Sequence, residues 1–90
     1  MVLRTVVVPN RLGIHARPAA QIVKLASTFQ SEISLTVGND QVNAKSIMGV
    51  MTLAAGAGTE VGISASGPDE ESAVSAIVEL FNQGFGEEMA

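Results

Sequence analysis

The chain holds one histidine, His15, inside the run GIHARPAA from Gly13 to Ala20. Arg17 follows two residues later and Pro18 directly after it. Imidazole is a nucleophile that titrates near neutrality. Guanidinium is a planar cation whose fork of donors suits phosphate. Together the two side chains describe a nucleophile beside an anion binder. Helix-start rules place His15 at the N-cap, with Ala16, Arg17 and Pro18 as the first three helical residues. Proline fits there, because its missing N–H would have no intrahelical partner. The N–H groups of Ala16 and Arg17 are then unpaired and directed out of the helix end, a ready site for an anion. Gly13 is expected to free the preceding loop and to let another molecule approach closely. The positive helix end favours a neutral ring before a transfer and a negatively charged group after it. Each charge-assisted hydrogen bond contributes on the order of 1.5–3 kcal/mol. That holds a phosphoryl group without making its transfer irreversible.

Other chemistries fit less well. A histidine at a helix start can be a structural or capping residue, but Gly, Arg and Pro at matching positions favour the phosphate reading. The chain has no second histidine and no cysteine, so only carboxylates could join His15 around a metal. No metal and no other cofactor is expected. Composition does not exclude a Ser-His-Asp hydrolase, yet no nucleophile elbow is present. The glycine-rich GAGTE lacks the Lys-Ser/Thr end of a P-loop.

A second feature is Ser46, just before IMGVM, where an N-cap belongs. A capping serine is worth about 1 kcal/mol, which suffices to explain it. The segment after it is too apolar for a short helix that only covers a sheet: Ile47, Met48, Met51 and Leu53 cannot all face inward. Ile47, Met48 and Met51 are therefore expected to form an exposed patch beside His15. Methionine suits a surface that must fit several partners.

The elements that must position these residues follow from periodicity. Val2 to Pro9 is rich in β-branched residues and reads as a strand ended by Pro9-Asn10. Ala19, Ile22, Val23, Ala26 and Phe29 recur at helical spacing from Ala16 onward. Glu32 to Val37 alternates, with Ile33, Leu35 and Val37 on one face. Gly38 to Asp40 turns the chain into a short strand, Gln41 to Asn43. SIMGVMTLAA is helical again, with Gly49 inside it. Glu60 to Ser66 alternates, with Val61, Ile63 and Ala65 together, and Gly67-Pro68 ends it. The last helix starts at the acidic Asp69, Glu70 and Glu71, carries the stripe Ala73, Val74, Ile77, Leu80 and Phe81, and stops at Gly84. The final EEMA is expected to fray.

The order is β-α-β-β-α-β-α. Strands with one apolar and one polar face predict an antiparallel sheet covered on one side. The expected fold is α+β, an open-faced two-layer sandwich forming one domain over residues 1–90. With 90 residues and a hydrophobic fraction of 47 %, a modest core is within reach. The net charge of −4 and the scattered basic residues argue against nucleic acid. Without cysteine, disulfides are excluded. No apolar run approaches the ~20 residues that span a bilayer, and the N-terminus does not read as a signal peptide. The expected location is the cytoplasm.

GIHARPAA resembles the active-site signature of the HPr family, the histidine phosphocarriers of the bacterial phosphoenolpyruvate-dependent phosphotransferase system. NAKSIMGVMTL, from Asn43 to Leu53, resembles the family's second signature, around a regulatory serine. The resemblance covers nearly the whole chain. It implies a four-stranded antiparallel sheet with three helices on one face. It implies that His15 accepts a phosphoryl group on Nδ1 from phosphorylated enzyme I and passes it to IIA components, with Arg17 stabilising the group. The protein would be a stoichiometric carrier and not an autonomous catalyst. The resemblance adds Ala16, Ala20 and Lys24 to the docking patch, a kinase/phosphorylase acting on Ser46, a transcriptional regulator as a further partner, and a monomeric state. Three rivals stand beside this reading: a nitrogen-related carrier, of which FGEE is reminiscent, a regulatory module acting through phosphoserine alone, and a generic anion-binding domain that binds phosphate at His15 without a covalent bond.

Overall fold

The structure, a computed structural model, describes residues 1–90. Four strands, β1 (Val2–Val7), β2 (Glu32–Val37), β3 (Asp40–Asn43) and β4 (Glu60–Ser66), form one sheet in the order β1-β4-β2-β3. Every neighbouring pair is antiparallel. Helices α1 (Ala16–Ala26), α2 (Ile47–Thr52) and α3 (Glu70–Asn82) complete the α+β sandwich expected from the sequence. A short 3₁₀ turn, Gly84–Gly86, follows α3.

Register explains the layering. Val6 pairs with Val61, and Leu35 with Ile63, so these side chains share one face. That face is buried through Val6, Ile33, Leu35, Val61, Ile63 and Ala65. The helices cover it with Ala19, Ile22 and Ala26 from α1, Val50 from α2, and Ala73, Val74, Ile77 and Phe81 from α3. Val37 and Leu80, expected within the apolar stripes, are only half-buried. Leu80 lies on the shoulder of α3, beside Gln21, Lys24 and Leu25 of α1. On the open face, Leu3 and Val7 of β1 are exposed.

Arg4 pairs with Ile63 and so points toward the covered face, yet it remains exposed at the rim among Ser75, Glu79 and Gln83. An inward-pointing charge on an edge strand discourages further strand pairing.

The chain end departs from expectation. EEMA does not fray. The Arg11 N–H donates to the Glu88 carbonyl at 2.8 Å, and the Ala90 N–H to the Pro9 carbonyl at 2.8 Å. Asn10 and Met89 form an antiparallel bridge. The turn that makes this possible is local: Gly84 and Phe85 both have positive φ, +65° and +59°. Gly84 adopts it freely, and a side chain there would collide with Met89. For Phe85 the conformation is strained. Its ring is buried edge-on against Phe81, with centroids 4.9 Å apart, and that packing holds it in place.

Candidate functional site

His15 is the N-cap of α1, as the start rules place it. Its backbone is extended, and its side chain makes no capping hydrogen bond. The Ala19 N–H donates to the His15 carbonyl at 3.0 Å, the first bond of the helical ladder. Pro18 has no N–H to offer. The donors left without a helical partner are those of Ala16 and Arg17, the two singled out from the sequence. Pro18 itself is buried and anchors the first turn in the core.

Gly13 serves a different purpose from the one expected. It is buried, with φ of +72°, and a Cβ there would stand 2.5 Å from the Ala55 carbonyl oxygen. The close approach it permits is therefore to its own chain. The next residue confirms the contact, for the Ile14 N–H donates to Ala55 at 2.8 Å. This seam ties the loop carrying His15 to the loop after α2.

The imidazole is partly exposed, at 39 %. Its Nε2 lies 2.8 Å and 3.0 Å from the two carboxylate oxygens of Glu87. No protein group hydrogen-bonds Nδ1. Glu87 is largely enclosed, with its side chain 12 % exposed. Its carboxyl is held below the usual glutamate range, first by the hydrogen bond from His15, with help from Asn10 and from the charge of Arg17. Asn10 is fully buried and spends its amide on two acceptors, Glu87 Oε1 at 3.0 Å and the Gly13 carbonyl at 2.8 Å. Periodicity and motif spacing do not reveal Glu87, because its partner is 72 residues away. The one usable signal is an acidic residue after a glycine-rich chain reversal.

Arg17, Ala16, Ala20 and Lys24 are all exposed on α1. Ser46 caps α2: its Oγ accepts from the Gly49 N–H at 3.1 Å. Ile47, Met48 and Met51 are 43, 76 and 45 % exposed. Leu53, the fourth apolar residue of that segment, is half-buried, and Val50 carries the inward contact. Helices α1 and α2 pack against each other, which brings the two surfaces into one neighbourhood.

The site is a partly exposed imidazole beside unpaired helix-start amides, on a small antiparallel sandwich. The chain matches, over residues 2–83, the family model described as "PTS HPr component phosphorylation site". It belongs to this HPr family of phosphocarrier proteins. It is 57 % identical over 88 residues to the phosphocarrier protein HPr of Treponema pallidum, covering 98 % of this chain and 100 % of that one. A crystal structure of HPr from Thermoanaerobacter tengcongensis superposes with a TM-score of 0.94 at 49 % identity, covering 98 % of this chain and 99 % of that one. A dimeric form from the same organism matches with a TM-score of 0.78 at 48 % identity, covering 97 and 100 %. No helix is long and apolar enough to cross a membrane.

Proposed function

We propose that His15 is the residue that carries the phosphoryl group, on Nδ1. The supporting observation is the ring's asymmetry: Nε2 is engaged by Glu87, whereas Nδ1 has no protein partner. Arg17 and the unpaired amides of Ala16 and Arg17 hold the group once it arrives. The donor is phosphorylated enzyme I and the acceptor a IIA component of the sugar phosphotransferase system. Each molecule carries one group per cycle and catalyses nothing alone.

Ala16, Ala20, Lys24, Ile47, Met48 and Met51 form the surface that both partners use in turn. Support comes from their exposure, since three large apolar side chains of a short helix remain open to solvent. Ser46 is the site of regulatory phosphorylation by a kinase/phosphorylase. A phosphate there adds about two negative charges next to this surface and opposes acidic partners. The expected monomer is checked by sedimentation at assay concentrations, with the dimer solved for a relative as the alternative.

The test is direct. Incubated with phosphoenolpyruvate, magnesium and enzyme I, the protein gains one acid-labile phosphate. A His15→Ala variant gains none. Equal labelling of that variant overturns the assignment.

A further inference from the structure

We propose that Glu87 is a positioning residue for His15, fixing the tautomer that leaves Nδ1 free to attack. This rests on the carrier reading above and deepens it. A neutral imidazole has one N–H and one lone pair, and its hydrogen-bond partner decides which nitrogen holds which. A carboxylate held in its charged form only accepts. Facing Nε2 at 2.8 and 3.0 Å, it selects the ring with the proton on Nε2. The lone pair then belongs to Nδ1.

The carboxylate is itself built in. Asn10 is buried and donates to both Glu87 and the Gly13 carbonyl, linking the tail to the loop that carries His15. Backbone bonds from Arg11 to Glu88 and from Ala90 to Pro9 fasten the chain on either side of Asn10. Gln21 of α1 donates to the Phe85 carbonyl at 3.2 Å, which ties the reversal to the helix His15 begins. The left-handed Phe85, held by Phe81, aims the following residues back at the imidazole. Ring, loop and tail thus form one hydrogen-bonded unit.

In the transfer, the Nδ1 lone pair forms the bond to phosphorus while the donor's bond to phosphorus breaks, its electron pair returning to the donor. The Nε2 proton stays on the ring. Positive charge builds on the imidazole as Nδ1 bonds, and the Glu87 carboxylate faces the nitrogen that bears the proton. Arg17 is the other charged group whose field reaches Glu87.

The experiment reads the ring directly. Nitrogen-15 NMR of the neutral imidazole is recorded for the wild type, Glu87→Ala and Glu87→Gln, with transfer rates from enzyme I alongside. The wild type shows a single Nε2-protonated tautomer. Glu87→Ala shows a mixture of tautomers and transfers about ten-fold more slowly, the low end of what an imidazole-orienting partner carries. Glu87→Gln still offers an amide oxygen to Nε2–H, so it retains the tautomer and most of the rate. Amide spectra establish that both variants are folded. An unchanged tautomer in Glu87→Ala overturns the proposal, as does an altered tautomer with an unchanged rate. If the wild type accepts no phosphate at all, the carrier assignment falls, while the tautomer spectra still decide the role of Glu87.

Discussion

Helices α1 and α2 both begin at polar residues in the extended conformation, and they treat their first N–H groups in opposite ways. Ser46 turns its Oγ back onto the Gly49 N–H and satisfies the start of α2 from within. His15 makes no such bond, and its ring is drawn away toward Glu87. A serine cap is worth about 1 kcal/mol. α1 forgoes that and is held by Pro18, Ala19, Ile22 and Ala26 in the core instead. The short α2 buries only Val50 and depends more on its cap. A helix start is free to bind an external anion when its own side chains leave the donors alone and its stability comes from elsewhere.

This contrast is broken most severely at His15. His15→Ala abolishes acid-labile phosphate and frees the Glu87 carboxylate, while the fold persists because α1 is held by its buried residues; labelling and circular dichroism check both halves. Next comes Arg17→Ala. The guanidinium is exposed and makes no hydrogen bond within the protein, so its removal leaves the fold intact. It withdraws one charge-assisted contact from the phosphoryl group. Transfer slows by about ten-fold, discounted for solvent, as measured by rapid quench against enzyme I.

Substitutions at Ser46 touch the other helix start. Ser46→Asp keeps a capping oxygen and adds a negative charge beside the exposed Ile47 and Met48. Acceptance from enzyme I falls about two- to five-fold and recovers with added salt, as a screened surface charge should. Ser46→Ala removes the cap and adds no charge. It lowers stability by about 1 kcal/mol in urea unfolding and leaves transfer as it was. A Ser46→Ala variant with impaired transfer would mean that the cap, and not charge, governs the docking surface.

Much of this is legible in the sequence. Ile33, Leu35, Val61, Ile63 and Ala65 announce two strands with one dry face, because a period of two has a single physical interpretation once a sheet is covered on one side. His15, Arg17 and Pro18 announce a helix start because capping and proline rules act over a few residues. Gly13 and Glu87 resist such reading for a common reason. Gly13 is required by a backbone 42 positions downstream at Ala55, and Glu87 by a ring 72 positions upstream. Neither leaves a local period. Charged terminal residues such as Glu87 and Glu88 look like solvated tail until the left-handed turn at Gly84 and Phe85 folds them back.

The third helix start separates capping from tertiary bonding. Asp69 stands at the N-cap of α3 but makes no capping bond to its own helix. Its carboxylate instead accepts from the Ser31 hydroxyl and from the backbone N–H groups of Gln30 and Ser31, both at 2.9 Å. These bonds, the Ser31 hydroxyl first and then the Gln30 N–H, hold the carboxyl below the usual aspartate range. A depressed folded-state pKa stabilises the fold above the unfolded value, and that stability is lost as pH falls through the folded one. Glu70, also depressed chiefly by the Gly67 N–H, gives the same sign, so acid unfolding of the wild type alone cannot isolate Asp69. The difference between wild type and Asp69→Asn can. That gap is widest at neutral pH and closes as pH falls through the depressed Asp69 value, in urea unfolding measured across the range. Phosphoryl transfer is unaffected, because this clasp joins α3 to the segment before β2 and bears on neither His15 nor Ser46. A gap that stays constant with pH would show that Asp69 holds Ser31 by shape alone and that its charge contributes nothing.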